Sequence, residues 1–155
     1  MGKVCENVFQ VGFSRVNITP PLGIYIYGYA FKRYADGVLD DLEVNTIAFS
    51  KDGNTVLIMS LDICEGDQVE MDKFRFAISK AVNVPADAIF LSATHTHTSP
   101  AITENGEGEI EKAYFYELRD KLILSARLAL EDRKPARMGW KTGYVPIFLI
   151  AAVSV

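Results

Sequence analysis

The sequence is poor in the residues that most often reveal a function. Its 155 residues include two histidines, two cysteines and one tryptophan. Cys5 and Cys64 lie far apart and outside any CxxC pair, so they form neither a zinc-knuckle pattern nor a disulfide framework. Two free thiols in a reducing compartment are the better interpretation. With histidine so scarce, the placement of both imidazoles becomes the main clue.

Positive charge, long apolar runs and nucleotide-binding glycines are also scarce. The formal net charge is −4, and phosphate binding needs clustered positive charge, so we expect no nucleic-acid partner. No apolar run reaches the roughly 20 residues that cross a bilayer, and no signal peptide is visible. We therefore expect no transmembrane segment and a cytoplasmic location. A Gly-x-Gly-x-x-Gly loop and a Gly-x-Ser-x-Gly elbow are both missing.

The hydrophobic pattern that is present predicts one α/β domain over residues 1–155. Alternation over 10–17 indicates a first strand, and two apolar runs, 42–50 and 54–62, flank an Asp-Gly pair that favours a tight hairpin turn. The intervening segment 19–41 is a long loop rich in glycine and tyrosine. Its aromatic content argues against disorder.

The second half of the chain reads as a strand–helix–strand unit followed by a longer helix. Asp67 is a predicted N-cap of a helix that ends near Pro85, and 88–93 is the next strand. A strand–helix–strand unit of this length makes its two strands parallel, with a right-handed crossover. Helical spacing continues over 109–131. The expected fold is a mixed sheet with a hairpin, a parallel βαβ unit and two main helices.

The C-terminal residues are harder to interpret. Residues 136–144, which contain Trp140, fit one more strand. The tail from 141 to 155 is atypical, because residues 146–155 are apolar apart from Ser154. A core strand is one interpretation of that tail.

Both histidines fall in the segment 94–98, which follows the strand at 88–93. His95 and His97 are spaced to point to the same side of an extended backbone. Open α/β sheets bind ligands outside the carboxyl ends of their parallel strands, and Asp62 stands at the end of the other predicted parallel strand. A carboxylate and two imidazoles near one edge suit zinc, with Asp62 either a third ligand or an outer partner of a ring N–H.

Other interpretations of these residues remain open. His95 and His97 fit equally well as polar residues that end a strand. A binuclear His-x-His-x-Asp-His motif is disfavoured, because Ser99 and Pro100 stand where its last two ligands would be. The loop tyrosines fit either an aromatic wall for an apolar substrate or the filling of a core under the loop.

Three segments resemble neutral/alkaline non-lysosomal ceramidases and their uncharacterised bacterial relatives. They are residues 11–23 (VGFSRVNITPPLG), 33–40 (RYADGVLD) and 92–100 (SATHTHTSP). They occur in the order found in that family and cover the N-terminal two-thirds of the chain. The family favours Ser-Gly where this chain has Thr98-Ser99, and the resemblance fades after Trp140.

The resemblance implies the N-terminal portion of a Zn²⁺-dependent amidase that cleaves the N-acyl bond of small amphipathic, ceramide-like substrates. It makes His95 a zinc ligand and places His97 in the active site, against the substrate or its developing oxyanion. The other ligands of the family, a second His, a Glu and a Tyr, lie far beyond this segment of a longer polypeptide. The active site is therefore expected to be incomplete on its own and to bind zinc weakly if at all.

Two functions follow from these observations. In the first, the chain is a ceramidase-like hydrolase whose site another chain or segment completes. In the second, it is a non-catalytic α/β module, or remnant, that pairs with another chain.

Overall fold

The computed structural model describes residues 8–100, 102–103 and 108–144. They form a five-stranded mixed sheet, a small two-stranded antiparallel sheet and two helices, which confirms the expected α/β class. The strands are β1 (Gln10–Asn17), β2 (Tyr25–Ile26), β3 (Arg33–Tyr34), β4 (Glu43–Lys51), β5 (Asn54–Leu61), β6 (Ile89–Ala93) and β7 (Lys134–Pro135). The helices are α1 (Gln68–Val82) and α2 (Glu109–Glu131), and a short 3₁₀ turn spans Ala86–Ala88.

The larger sheet has the strand order β6-β5-β4-β1-β7. The predicted hairpin is β4 and β5, closed by Asp52 and Gly53 with φ of 51° and 78°. Two consecutive residues with positive φ are what a two-residue turn of this hand needs, and Asp-Gly supplies them at low cost. The sequence therefore predicted both the position and the chemistry of this turn.

The predicted βαβ unit is formed by β5, α1 and β6. The two strands are parallel and in register from Leu57 opposite Ile89 to Leu61 opposite Ala93. The Asp67 carboxylate caps α1 by accepting the Val69 N–H at 2.7 Å, and Asn83, with φ of 55°, ends the helix. A side-chain N-cap and a left-handed residue at the C-terminal end are ordinary helix boundaries.

Helix α2 packs on the sheet through small side chains. A Cβ on Gly12 would lie 2.1 Å from the Ala129 carbonyl oxygen, so only glycine lets β1 approach the helix this closely. The hydroxyls of Ser14 and Thr46 both contact the Ser125 hydroxyl, at 2.8 and 2.7 Å. These bonds satisfy hydroxyl groups that close packing removes from water.

The opposite face of the sheet carries an apolar row and no helix from the described part of the chain. Cross-strand pairing aligns Phe13, Ile47, Ile58 and Phe90 across β1, β4, β5 and β6. Phe13 is 60% exposed, Ile58 41% and Phe90 65%. An apolar row of this kind is typical of a surface that another element covers.

The structure corrects two expectations. The strand predicted over 136–144 is wrong, since β7 ends at Pro135 and Trp140 is 89% exposed. The Ala136 N–H still donates to the Phe9 carbonyl at 3.0 Å, and the glycines at 139 and 143 weaken extended pairing beyond it. The long loop, in contrast, contains the unpredicted pair β2 and β3. The apolar tail 146–155 and Cys5 lie outside the described residues.

Neither helix in the described ranges is long and apolar enough to cross a bilayer.

Candidate functional site

The carboxyl ends of β5 and β6 meet at one edge of the sheet, and their pairing continues past both strands. The Thr94 N–H donates to the Leu61 carbonyl at 2.9 Å, and the Thr96 N–H donates to the Ile63 carbonyl at 3.2 Å. A parallel bridge then joins Gly66 to Ile102. The segment after β5 therefore runs beside the histidine segment, and the register places Cys64 next to His95.

Cys64, His95 and His97 form a cluster of potential metal ligands. One ligand atom from each lies within 4.8 Å of the other two. The Cys64 Sγ is 3.8 Å from His95 Nδ1, and the two imidazole rings are 5.1 Å apart at an angle of 78°. Cys64 is 3% exposed, whereas both histidines face solvent. The cluster is therefore closed on the thiol side and open on the imidazole side.

The local backbone and a hydrogen bond set the orientation of His95. Its φ is 62°, a left-handed conformation that is uncommon for a residue with a side chain. Its Nδ1 lies 2.9 Å from the Cys64 carbonyl oxygen. An Nδ1–H that donates to this carbonyl leaves the lone pair on Nε2 free, and metal-binding histidines are commonly held in this way.

A hydrogen bond to Ser99 holds the Cys64 backbone in place beside the cluster. The Cys64 N–H donates to the Ser99 Oγ at 2.6 Å, and Ser99 is fully buried. The Ser99 carbonyl accepts the Tyr27 N–H at 2.8 Å, and the Thr98 N–H donates to the Tyr27 carbonyl at 3.2 Å. The long loop is thereby fastened to the histidine segment through main-chain bonds.

The long loop also forms one wall of the site. Gly28, with φ of 94°, lies so close to His97 that a Cβ there would be 2.6 Å from the ring. The Tyr29 ring meets the His97 ring edge-on at 6.2 Å, and the Arg33 guanidinium stacks 4.6 Å from the Tyr29 ring. None of the four loop tyrosines is buried, so they do not fill a core. The wall interpretation fits Tyr29.

Glu65 dominates the electrostatics beside the cluster. A hydrogen bond to Glu65, and then its negative charge, raise the pKa of Tyr27. Burial raises the pKa of the Cys64 thiol, and the Glu65 charge adds to this effect. Both effects favour the protonated thiol over the thiolate.

Asp62 lies at the same sheet edge, but in a different set of contacts. Its carboxylate accepts the Glu43 N–H at 3.1 Å and the Thr94 hydroxyl at 3.2 Å. Within the described ranges, the residue that joins the two histidines at ligand distance is Cys64. A metal role for Asp62, as for His95 and the catalytic role of His97, stays a prediction. One weak signal for Cys64 is its position two residues beyond Asp62, shortly after the end of β5.

The donor set and spacing fit a zinc ion. Zinc binds imidazole nitrogen at about 2.0–2.1 Å and thiolate sulfur at about 2.3 Å, which puts donors in a tetrahedral site roughly 3.4–3.6 Å apart. The ligand atoms of the cluster lie within 4.8 Å of one another. His95, whose Nε2 is free, is the residue that would hold the ion, with the Cys64 thiol and the His97 ring beside it.

Two solved ceramidase structures have a similar fold. Neutral ceramidase from Pseudomonas aeruginosa aligns with a TM-score of 0.68 and 17% identity, over 83% of this chain and 22% of that one. A ceramidase complexed with C2 aligns with a TM-score of 0.71 and 17% identity over the same shares. No protein-family model matches the sequence, and no curated protein matches it significantly. The likeness shows the fold, and this chain spans 22% of the length of either ceramidase chain.

The Ser99 hydroxyl provides a test of how the site is held. Ser99→Ala leaves the buried Cys64 N–H without its acceptor, so we expect the free energy of unfolding to fall by about 1–3 kcal/mol. Ser92→Ala, at an exposed position on β6, is the matched control and should change stability by less than about 0.5 kcal/mol. Urea unfolding measures both. Equal stability of the two variants would contradict the anchoring role of Ser99.

Proposed function

We propose that this chain is the N-terminal portion of a ceramidase-like, zinc-dependent amide hydrolase that acts on N-acyl, ceramide-like substrates. The observation that carries the proposal is the pair of imidazoles at the joined ends of two parallel strands, in a fold similar to that of ceramidases. The resemblance of the segment 92–100 to the histidine segment of that family supports the same assignment.

Under this proposal, the two histidines have different tasks. His95 is the metal ligand, because its Nδ1 faces the Cys64 carbonyl and its Nε2 is free. A zinc ion held there would polarise the amide carbonyl and would lower the pKa of its water to about 7. His97 is exposed beside it and serves as a proton carrier or as a hydrogen-bond donor to the developing oxyanion. Asp62 acts at a distance by bracing Thr94, which precedes His95.

The long loop supplies a surface that suits a small amphipathic substrate. Tyr29 stands against His97, and several apolar side chains of the loop are exposed, namely Leu22, Tyr27, Phe31, Tyr34, Val38 and Leu39. Tyr29 is the point at which the long loop borders the histidine pair. The cationic Arg33, stacked on Tyr29, offers a polar contact at the edge of the same wall.

We propose that the active site of the hydrolase extends beyond this sequence. The chain spans 22% of the length of the ceramidases that share its fold, and the resemblance assigns further zinc ligands to later parts of such a polypeptide. Another chain or segment would then complete the substrate pocket. The cytoplasm remains the proposed location.

Metal-dependent hydrolysis tests the proposed function. We expect zinc added to the metal-free chain to start slow release of fatty acid from N-acyl sphingosine or a simpler N-acyl amine. His95→Ala should remove both this activity and the calorimetric heat of zinc binding. His97→Ala should lower the rate by about 100-fold or more and retain the heat, because a proton-transfer group is lost and the ligand is kept.

Ser92→Ala, away from the site on β6, is the control and should behave as the unmodified chain. Equal zinc-binding heats in the unmodified chain and His95→Ala would end the metal assignment. A rate that does not respond to zinc would favour a non-catalytic function.

The uncovered apolar row supports the second candidate function, an α/β module that pairs with another chain. Phe13, Ile58 and Phe90 expose large apolar areas in one line, and β6 is an edge strand of the sheet. The simplest partner is a second copy, because an edge strand with an adjoining apolar row can meet its own image across a twofold axis. Such pairing is compatible with hydrolysis and does not require it.

Sedimentation over a concentration series tests this pairing. We expect the chain to self-associate and Phe90→Lys to abolish association, because a charge would be placed in the apolar interface. Phe31→Lys is the matched control, since Phe31 is also largely exposed, 81% against 65% for Phe90, but lies in the long loop. A chain that stays monomeric at all concentrations, or loses association equally in both variants, would contradict pairing through the row.

A further inference from the structure

We infer that Glu111, in the first turn of α2, is a positioning residue that holds the long loop against His97 and so sets the affinity of the site for its acyl substrate. Glu111 lies outside the histidine cluster and takes no part in holding a metal. The inference rests on the proposed function and deepens it, because it names the residue on which the substrate-facing wall depends.

The first argument is the contact that the Glu111 carboxylate makes. Glu111 is 7% exposed, and its Oε1 accepts the N–H of Tyr25, on β2, at 3.1 Å. A carboxylate is rarely buried to this degree unless hydrogen-bond donors face its oxygens. The donor here is a main-chain group of the long loop, so the contact attaches the loop to the helix.

The start of α2 gives this carboxylate a fixed place. Gly108 is the N-cap, and Glu111 stands three residues later, where a glutamate side chain can fold back over the start of the helix. A Cβ on Gly108 would lie 2.5 Å from Glu111 Oε2, so glycine leaves the room that the carboxylate occupies. The positive end of the helix dipole also favours an anionic side chain in this turn.

A second contact from the same face of α2 holds the beginning of the loop. Tyr114, three residues after Glu111 and 1% exposed, donates its hydroxyl to the Ile18 carbonyl at 2.5 Å. Residues three apart lie on one face of a helix. Helix α2 therefore holds the chain at Ile18 and again at Tyr25, and Tyr25 begins the strand that continues toward the histidines.

Main-chain pairing transmits the position of Tyr25 to the site. Ile26 forms an antiparallel bridge with Pro100, and the next residue bonds to the main chain between this bridge and the histidines. Tyr29 then meets the His97 ring edge-on at 6.2 Å. Without the carboxylate contact, β2 loses a bond to α2, and the wall at Tyr29 is less firmly held.

Hydrogen exchange in the full chain tests the attachment of the loop. Glu111→Ala should raise amide exchange over residues 25–29 by about tenfold or more, because a partly buried N–H loses its acceptor. Peptides from the β4–β5 hairpin should exchange as before. Glu111→Gln should restore slow exchange, since its amide oxygen still accepts from Tyr25. Glu109→Ala is the matched control, because Glu109 is an acidic residue of the same turn whose side chain is 94% exposed.

Two readouts at the site separate positioning from stability. The His97 ring resonance should shift in Glu111→Ala, because the Tyr29 ring moves relative to it, and the His95 resonance should shift less. With zinc and N-acyl sphingosine, KM should rise about fivefold or more while kcat changes by less than about twofold, because His95 is oriented by the Cys64 carbonyl and not by the loop.

Several outcomes would overturn the inference. They are unchanged exchange over 25–29 in Glu111→Ala, an equal rise in Glu109→Ala, and a loosened loop with an unchanged KM. If Glu111→Ala unfolds, Glu111→Asp, which keeps the charge and is one methylene shorter, must show the faster exchange. A chain that hydrolyses nothing contradicts the proposed function, and the exchange and His97 results then still support or overturn the positioning role of Glu111.

Discussion

The parallel pairing of β5 with β6 is the constraint on which the rest of the structure depends. It brings two strand ends to one edge and continues as a main-chain ladder through Thr94 and Thr96. A shift of one residue would turn the side chains at this edge to the other face of the sheet. The approach of Cys64 to His95 is therefore a consequence of strand register, and α1 is the crossover helix that lets β5 and β6 run parallel.

The site combines this rigid frame with locally unfavourable backbone conformations. His95 and Thr98 both have positive φ, and a non-glycine residue in that region costs of order 1–3 kcal/mol. The buried Ser99, between the thiol segment and the long loop, supplies hydrogen bonds that hold the turn in place. Strain that the surrounding structure sustains is common at functional sites, and here it aims two imidazoles toward solvent beside a buried thiol.

The sequence predicted the periodic part of the fold well and the irregular part poorly. Asp52-Gly53 and the long apolar stripe of α2 carry strong local signals, whereas β2 and β3 are two residues each and have no period. Residues 136–144 were predicted to form a strand, but the last strand in the described residues, β7, ends at Pro135. The positions of the strand ends predicted the sheet edge that carries His95. The place of Cys64 beside it could not be predicted, because a single cysteine belongs to no sequence motif. Only the ladder beyond Leu61 reveals that Cys64, rather than Asp62, meets the histidines.

X-ray absorption at the zinc edge of the zinc-loaded chain tests the central claim most directly, because it reports the atoms bound to the ion regardless of activity. The account predicts a nitrogen neighbour at about 2.0–2.1 Å that is lost in His95→Ala. A shell made only of oxygen, or a nitrogen neighbour that remains in His95→Ala, would contradict it, since the strand end would then not deliver the His95 imidazole to the ion.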